Sequence, residues 1–165
     1  MAGGRVKEDL YYEDVVPGEE LESAAHTVTM GDIGAFGDVT HDRHPLHTDA
    51  AFARSMGFEQ PIAHGLFGLS LMEGLKSEMK LYEHTSIASL GWDRVRFTRP
   101  VLAGDTVHVR IRFREKRPSR RGGRGIVVEE LKLVNQRGDT VIEADHTTLL
   151  LRHDKAPETE DEASP

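Results

Sequence analysis

The clearest pattern in the chain is an alternation. Val107, Val109, Ile111 and Phe113 fall on one parity, and His108, Arg110, Arg112 and Arg114 on the other. A period of two marks a half-buried antiparallel strand, so a strand is expected over Asp105–Arg114. Two further β-rich runs follow, each announced by a turn. Gly122-Gly123 leads into Gly125–Asn135, and Gln136-Arg137-Gly138-Asp139 leads into Thr140–Arg152. Ser86–Phe97 reads as another strand and Glu19–Thr29 as a weak one. Long strands joined in succession by turns predict an antiparallel meander.

Upstream of the meander the period changes to that of a helix. Between Gly65 and Leu81, the residues Leu66, Phe67, Leu69, Leu71, Met72, Leu75 and Met79 cover a wide arc. So wide an apolar arc predicts a largely enclosed helix. Gly65, Gly68 and Gly74 cost about 1 kcal/mol each in helix propensity, which predicts close approach of backbone or ligand. Thr29 is placed to cap a shorter helix carrying Ile33, Phe36, Gly37 and Thr40. Pro45 is expected to end any helix and open a loop. Thr48 is expected to cap a second short helix, Asp49–Met56, stopped by Gly57. One long helix and one meander give an α+β layer pair, with the antiparallel sheet wrapped around a single long central helix. There is no internal repeat, and the expected domain is one unit over 9–153.

Composition narrows the class. At 165 residues the chain has room for one real core. No run of 18 apolar residues exists, so no membrane partner is expected. The first residues lack an apolar signal region and there is no cysteine, which fits a cytoplasmic protein without disulfides or thiolate metal sites. A net charge of −7 weighs against nucleic acid as partner. Residues 1–8 and the acidic tail 154–165 have too little apolar surface to offset ordering entropy, and are expected to be disordered.

The chemistry concentrates in two short segments. Asp42-Arg43-His44-Pro45-Leu46-His47 sets a carboxylate and an imidazole five residues apart across a stiffening proline. Pro61-Ile62-Ala63-His64-Gly65 then sets a glycine at the mouth of the long helix. A carboxylate and an imidazole can share acid–base work on one water. A glycine N–H at a helix start can hold a developing oxyanion. Taken singly, Asp42 reads equally as a turn cap, His47 as a loop histidine and Gly65 as a packing glycine.

Three runs, in order, carry a resemblance. They are Thr40–Asp49, Phe58–Gly65 and Arg96-Phe97-Thr98-Arg99-Pro100-Val101-Leu102-Ala103-Gly104-Asp105-Thr106. They resemble the motifs of MaoC-like dehydratases, the (R)-specific enoyl-CoA hydratases of the hot-dog fold, over about residues 10–152. The resemblance implies a hydro-lyase acting on a trans-2-enoyl thioester. Asp42 would be the base, His47 the group that orients the water and helps return the proton, and Gly65 the oxyanion donor. His44 and His64 are possible secondary residues. Where the family's motif has Asn and a small residue, this chain has His44 and His41. A set of His41, Asp42, His44 and His47 also has metal-ligand composition, but the acid–base reading uses two of them, and no metal is expected. No cofactor is implied. Coenzyme A or a carrier protein enters only as part of the substrate. Family members of this kind are dimers with the acyl pocket at the subunit boundary, so a homodimer is implied. Two other readings stay open: a hot-dog acyl-CoA thioesterase and a non-catalytic acyl-thioester-binding domain. The basic run Arg114, Lys116, Arg117, Arg120, Arg121 and Arg124 is either a solvated turn or a contact for coenzyme A phosphates or an acyl carrier protein. Trp92 is expected to pack on the sheet or at a subunit interface.

Overall fold

The computed structural model describes residues 7–153. In chain order the elements are β1 (Glu20–Glu22), β2 (His26–Thr27), α1 (Met30–Thr40), α2 (Pro45–Thr48), α3 (Ala50–Ser55), α4 (Gly65–Glu78), β3 (Ser86–Phe97), β4 (Thr106–Pro118), β5 (Arg124–Asn135) and β6 (Thr140–Leu151). Every strand pair is antiparallel, in the order β1-β4-β5-β6-β3, and β2 also pairs with β4. This is the sheet-around-helix architecture of the hot-dog fold.

The parity read from β4 holds in three dimensions. Val107, Val109, Ile111 and Phe113 are buried, and they meet Leu131 and Leu133 of β5 and Ile142 of β6. Phe67, Met72 and Leu75 of α4 close this core from above. Gly68 is what lets the helix come so near. A Cβ there would lie 2.3 Å from Ile142 Cδ1. Gly65 is also crowded, whereas a Cβ on Gly74 would meet no atom of the described residues within 4 Å.

Four expectations are corrected. α4 stops at Glu78 rather than Leu81, and Lys80 then takes a left-handed φ of 56°. Its apolar arc is only partly enclosed within one chain, with Leu66 61% exposed and Leu69 and Leu71 half-buried. Pro45 does not open a loop. It occupies the first position of α2, where its fixed φ suits a helix start and its missing N–H would have no partner anyway. Thr48 does not cap α3. Asp49 does, its carboxylate accepting from the N–H groups of Ala51 and Phe52, while Thr48 Oγ1 turns back to donate to His44 O. An ionised carboxylate is the stronger cap for a positive helix end.

Thr29 does cap α1, and Asp32 completes a capping box with the Thr29 N–H. The disorder expected of residues 1–8 and 154–165 lies almost wholly outside the described residues; Lys7, which is described, pairs with Asp14 at 2.5 Å. Strand β3 ends the sheet and pairs only with β6. Ile87, Leu90 and Phe97 on it are exposed.

Candidate active site

The site begins where α1 ends. His41 takes the left-handed conformation at φ 62°, which turns the chain sharply off the helix. Asp42 follows, exposed, with its Oδ1 accepting the His44 N–H at 3.3 Å. His44 then caps α2, its Nδ1 accepting the Leu46 N–H at 3.2 Å. The structure therefore gives His44 a structural task, and its ring is exposed.

His47 sits in the last turn of α2. Its Nδ1 is 2.7 Å from the Ile62 carbonyl oxygen. A carbonyl only accepts, so Nδ1 carries the proton, and in the neutral ring Nε2 is left as an acceptor. The Ile62 N–H bonds back to Leu46 O at 3.0 Å, which stitches α2 to the segment before α4.

His64 is 4% exposed. Its Nε2–H donates to the backbone oxygen of Asp42 at 2.8 Å, by the same carbonyl argument. Its ring stacks on His47 with centroids 3.7 Å apart and planes 28° apart, and Phe36 packs behind it at 5.1 Å. Gly37 of α1 makes room for this contact: a Cβ there would lie 3.0 Å from Asp42 O and 3.5 Å from His64 Cε1. His64 Nδ1 is buried and bonded to no protein group.

Asp42, His47 and His64 thus come together, with one donor atom from each within 4.8 Å of the other two. A single water with ordinary bonds holds two acceptors about 4.4 Å apart, so the cluster has the span of one bridging water. The same three groups have the composition of a cation site, with one nitrogen of each imidazole already committed to a backbone carbonyl.

Gly65 is the first residue of α4, and the helix start has no side-chain cap. The N–H groups of a first helical turn have no intrahelical acceptor, and the helix dipole adds positive potential there. A cavity of about 410 Å³ opens at this point, bounded by Phe58, Ile62, His64, Gly65, Phe97 and Ile142 among others. Its wall is mostly apolar, with few polar groups, as in most small-molecule pockets. In the sequence Phe97 stands only as a strand end and a motif residue. The signal that marks it in the structure is an exposed aromatic ring pressed on a glycine.

A second polar cluster lies under the C-terminal half of α4. Lys76 Nζ is 2.8 Å from Glu129 Oε2 and 2.8 Å from His146 Nδ1, with the Glu73 carboxylate at 3.1 Å. Tyr82 OH donates to Glu129 Oε1 at 2.7 Å. Burial pushes the Glu129 carboxyl up, but the positive charge of Lys76 and the hydrogen bonds from Lys76 and Tyr82 outweigh it and hold it at about 2. Burial, then the neighbouring Glu129, raises Tyr82 well above its ordinary value. Ser89 Oγ lies 2.7 Å from His146 Nε2, and Glu129 3.3 Å from His146 Nδ1, which is the spacing of a nucleophile relay. The protons forbid that role. A lysine ammonium only donates, so His146 Nδ1 accepts from Lys76 and its Nε2–H points at Ser89. His146 then has no lone pair to take a serine proton. Trp92 stacks on His146 at 4.3 Å.

Part of the basic run is also occupied. Arg114 pairs with Asp145, and Lys116 Nζ donates to the backbone oxygens of Tyr12 and Glu13 at 3.1 Å each. Among the described residues no helix is long and apolar enough to cross a membrane.

Residues 14–135 match the model of the family described as "MaoC like domain". Protein MaoC of Klebsiella aerogenes is 32% identical over 122 residues, which is 70% of this chain but only 36% of that protein. The chain therefore spans about a third of that relative's length. The 3-hydroxybutyryl-CoA dehydratase of Methylorubrum extorquens is 30% identical over 115 residues, 70% of this chain and 71% of that enzyme. Among solved structures, a monoamine oxidase regulatory protein from Archaeoglobus superposes with a TM-score of 0.82 at 35% identity, covering 89% of this chain and 97% of that one. A Mycobacterium tuberculosis protein described as a double hot-dog fold superposes at 0.78 and 20% identity, this chain matching 47% of it, which shows the fold alone.

Proposed function

The chain belongs to the MaoC-like domain family, and from that premise we propose that it adds water to a trans-2-enoyl thioester, giving the (R)-3-hydroxyacyl thioester, or runs the reverse dehydration. The observation that carries this reading is the gathering of Asp42, His47 and His64 beside the uncapped start of α4. Water donates one proton toward the Asp42 carboxylate and the other toward His47 Nε2, which turns an oxygen lone pair to the electrophilic β-carbon. Asp42 takes its proton as the C–O bond forms. Negative charge moves to the thioester oxygen, where the Gly65 N–H and the helix dipole meet it. The proton held by Asp42 then passes through His47 Nε2 to the α-carbon, which returns both side chains to their starting states. One water is added and neither side chain is changed. His64 is a positioning residue: it fixes the Asp42 backbone by hydrogen bond and the His47 ring by stacking.

The relative named 3-hydroxybutyryl-CoA dehydratase supports coenzyme A as the carrier. We further propose a homodimer joined at β3, because that edge is long, unpaired within the chain and exposes Ile87, Leu90 and Phe97. Hydration of crotonyl-CoA, followed by loss of enoyl absorbance and chiral analysis of the product, tests the reaction. Asp42→Asn should lower turnover by about 10²–10⁴-fold, because the amide keeps the shape but takes no proton. Release of free coenzyme A without hydration would show a thioesterase instead.

A further inference from the structure

Phe97 closes β3, and its side chain has an unusual pairing of properties. The residue is 51% exposed, yet the ring is fitted against Gly65. A Cβ built on Gly65 would lie 2.8 Å from ring Cε1, 2.9 Å from Cδ1 and 3.0 Å from Cζ. No side chain at position 65 coexists with the ring where it stands. The ring is held by the sheet rather than by a loose loop. Phe97 pairs with Ile142 on β6, the Thr98 N–H bonds to Val141 O at 3.0 Å, and Thr98 Oγ1 donates to Thr140 O at 2.7 Å. The same ring walls the cavity at the start of α4.

We propose that Phe97 is a specificity-determining residue that admits acyl groups unbranched at the carbon next to the thioester carbonyl. The inference rests on the reading of Gly65 as the site of the thioester oxygen. An oxygen bonded to the Gly65 N–H lies about 2.9 Å from that nitrogen. The acyl α-carbon is two covalent bonds further on, in the space beside Gly65 that the ring bounds. A hydrogen on the α-carbon fits against the ring face. A methyl there needs the volume the ring fills. A missing or extra methyl in an apolar pocket changes selectivity about 10–200-fold.

Butyryl-CoA and 2-methylbutyryl-CoA share the same four-carbon chain and differ by one methyl on this carbon, so calorimetry of the two isolates the effect without turnover. The wild-type protein should bind butyryl-CoA at least about tenfold tighter, and Phe97→Ala should shrink the gap to about threefold or less. In turnover, the 2-methylcrotonyl-CoA to crotonyl-CoA ratio of kcat/KM should rise at least about tenfold in Phe97→Ala. Wild-type protein that binds both ligands equally, or neither, overturns the proposal. So does a Phe97→Ala variant that keeps the wild-type preference. Discrimination in binding with no hydration of any enoyl-CoA would instead sink the hydratase reading and leave this inference standing. A thermal readout checks the geometry separately. Gly65→Ala should lower Tm by at least about 3 °C, and the Gly65→Ala/Phe97→Ala pair should recover most of that loss. No recovery would show that the ring does not press on position 65.

Discussion

Acid should unfold this protein through one buried carboxylate, Glu129, and the size of the effect follows from its surroundings. Glu129 is fully buried and its pKa falls from an ordinary 4.5 to about 2. Between those values the unfolded chain binds a proton that the folded chain refuses, so stability rises with pH across this window. The contribution is fully present above pH 4.5 and is lost as pH falls through 2. Its full size is on the order of 3 kcal/mol, for a fall from 4.5 to about 2 at about 1.4 kcal/mol per unit. Between pH 5 and pH 3 a single group with these two pKa values loses roughly half of that. The informative variant is Glu129→Gln, which keeps the volume and one acceptor oxygen, toward Lys76 or Tyr82 but not both, and cannot titrate. The carboxyls of Asp9, Glu13, Asp14 and Asp32 are also lowered, but both proteins share them and they cancel in the difference. Urea unfolding of both proteins at pH 5, 4 and 3 gives the comparison. The wild-type protein should lose about 2 kcal/mol more than the variant over that range. Parallel losses in the two proteins would refute the assignment of the acid limb to Glu129.

Other outcomes follow from the active-site geometry. His47→Gln should lower hydration about 10²–10⁴-fold with unchanged circular dichroism; retention of more than a tenth of the wild-type rate on every enoyl-CoA would remove His47 from the mechanism. His64→Phe keeps a stacking ring but loses the bond to Asp42 O, and should lower kcat more than it changes KM, since the loss is one of position rather than of binding. His44→Ala removes the α2 cap and should cost about 1 kcal/mol in urea unfolding. Sedimentation at micromolar concentration should show a dimer, and Leu90→Asp on the β3 edge should split it; a wild-type monomer with full activity would contradict the proposed interface.

Much of the fold was legible because parity is a local property. The inward residues of β4 could be read off directly, and the end of β3 was placed at Phe97 on pattern alone. Helix ends were harder, because caps are decided by competition between neighbours. Thr48 and Asp49 are both able to cap α3, and only geometry shows that the carboxylate wins and the hydroxyl turns to His44 O. The enclosure expected for α4 failed for a different reason. Apolar surface says that something covers the helix, but not whether the cover comes from the same chain, and Leu66 remains 61% exposed in this one.

The site divides the same way. Asp42, His47 and Gly65 could be named as candidates only through the ordered motifs that resemble those of MaoC-like dehydratases, since each taken singly reads equally as a cap, a loop histidine or a packing glycine. The task of His64 could not, since nothing along the chain says that its ring will stack on His47 or that its Nε2–H will reach Asp42 O. The buried ion pair marks the boundary between the two cases. Glu129 shares the inward parity of Val127, Leu131 and Leu133, and Lys76 stands one turn after Met72 on the buried face of α4. Each therefore announces itself as a charge pointing into an apolar layer. A lone buried charge costs far more than the domain can spare, so each also requires a partner. What the chain does not say is that the two are each other's partner, 53 residues apart. That follows only once Gly68 has let α4 settle onto Ile142, bringing the helix close enough to β5 for the lysine to reach. The packing of small against large residues therefore decides which charges meet, and the opposite end of the same helix is where Gly65 is set against Phe97.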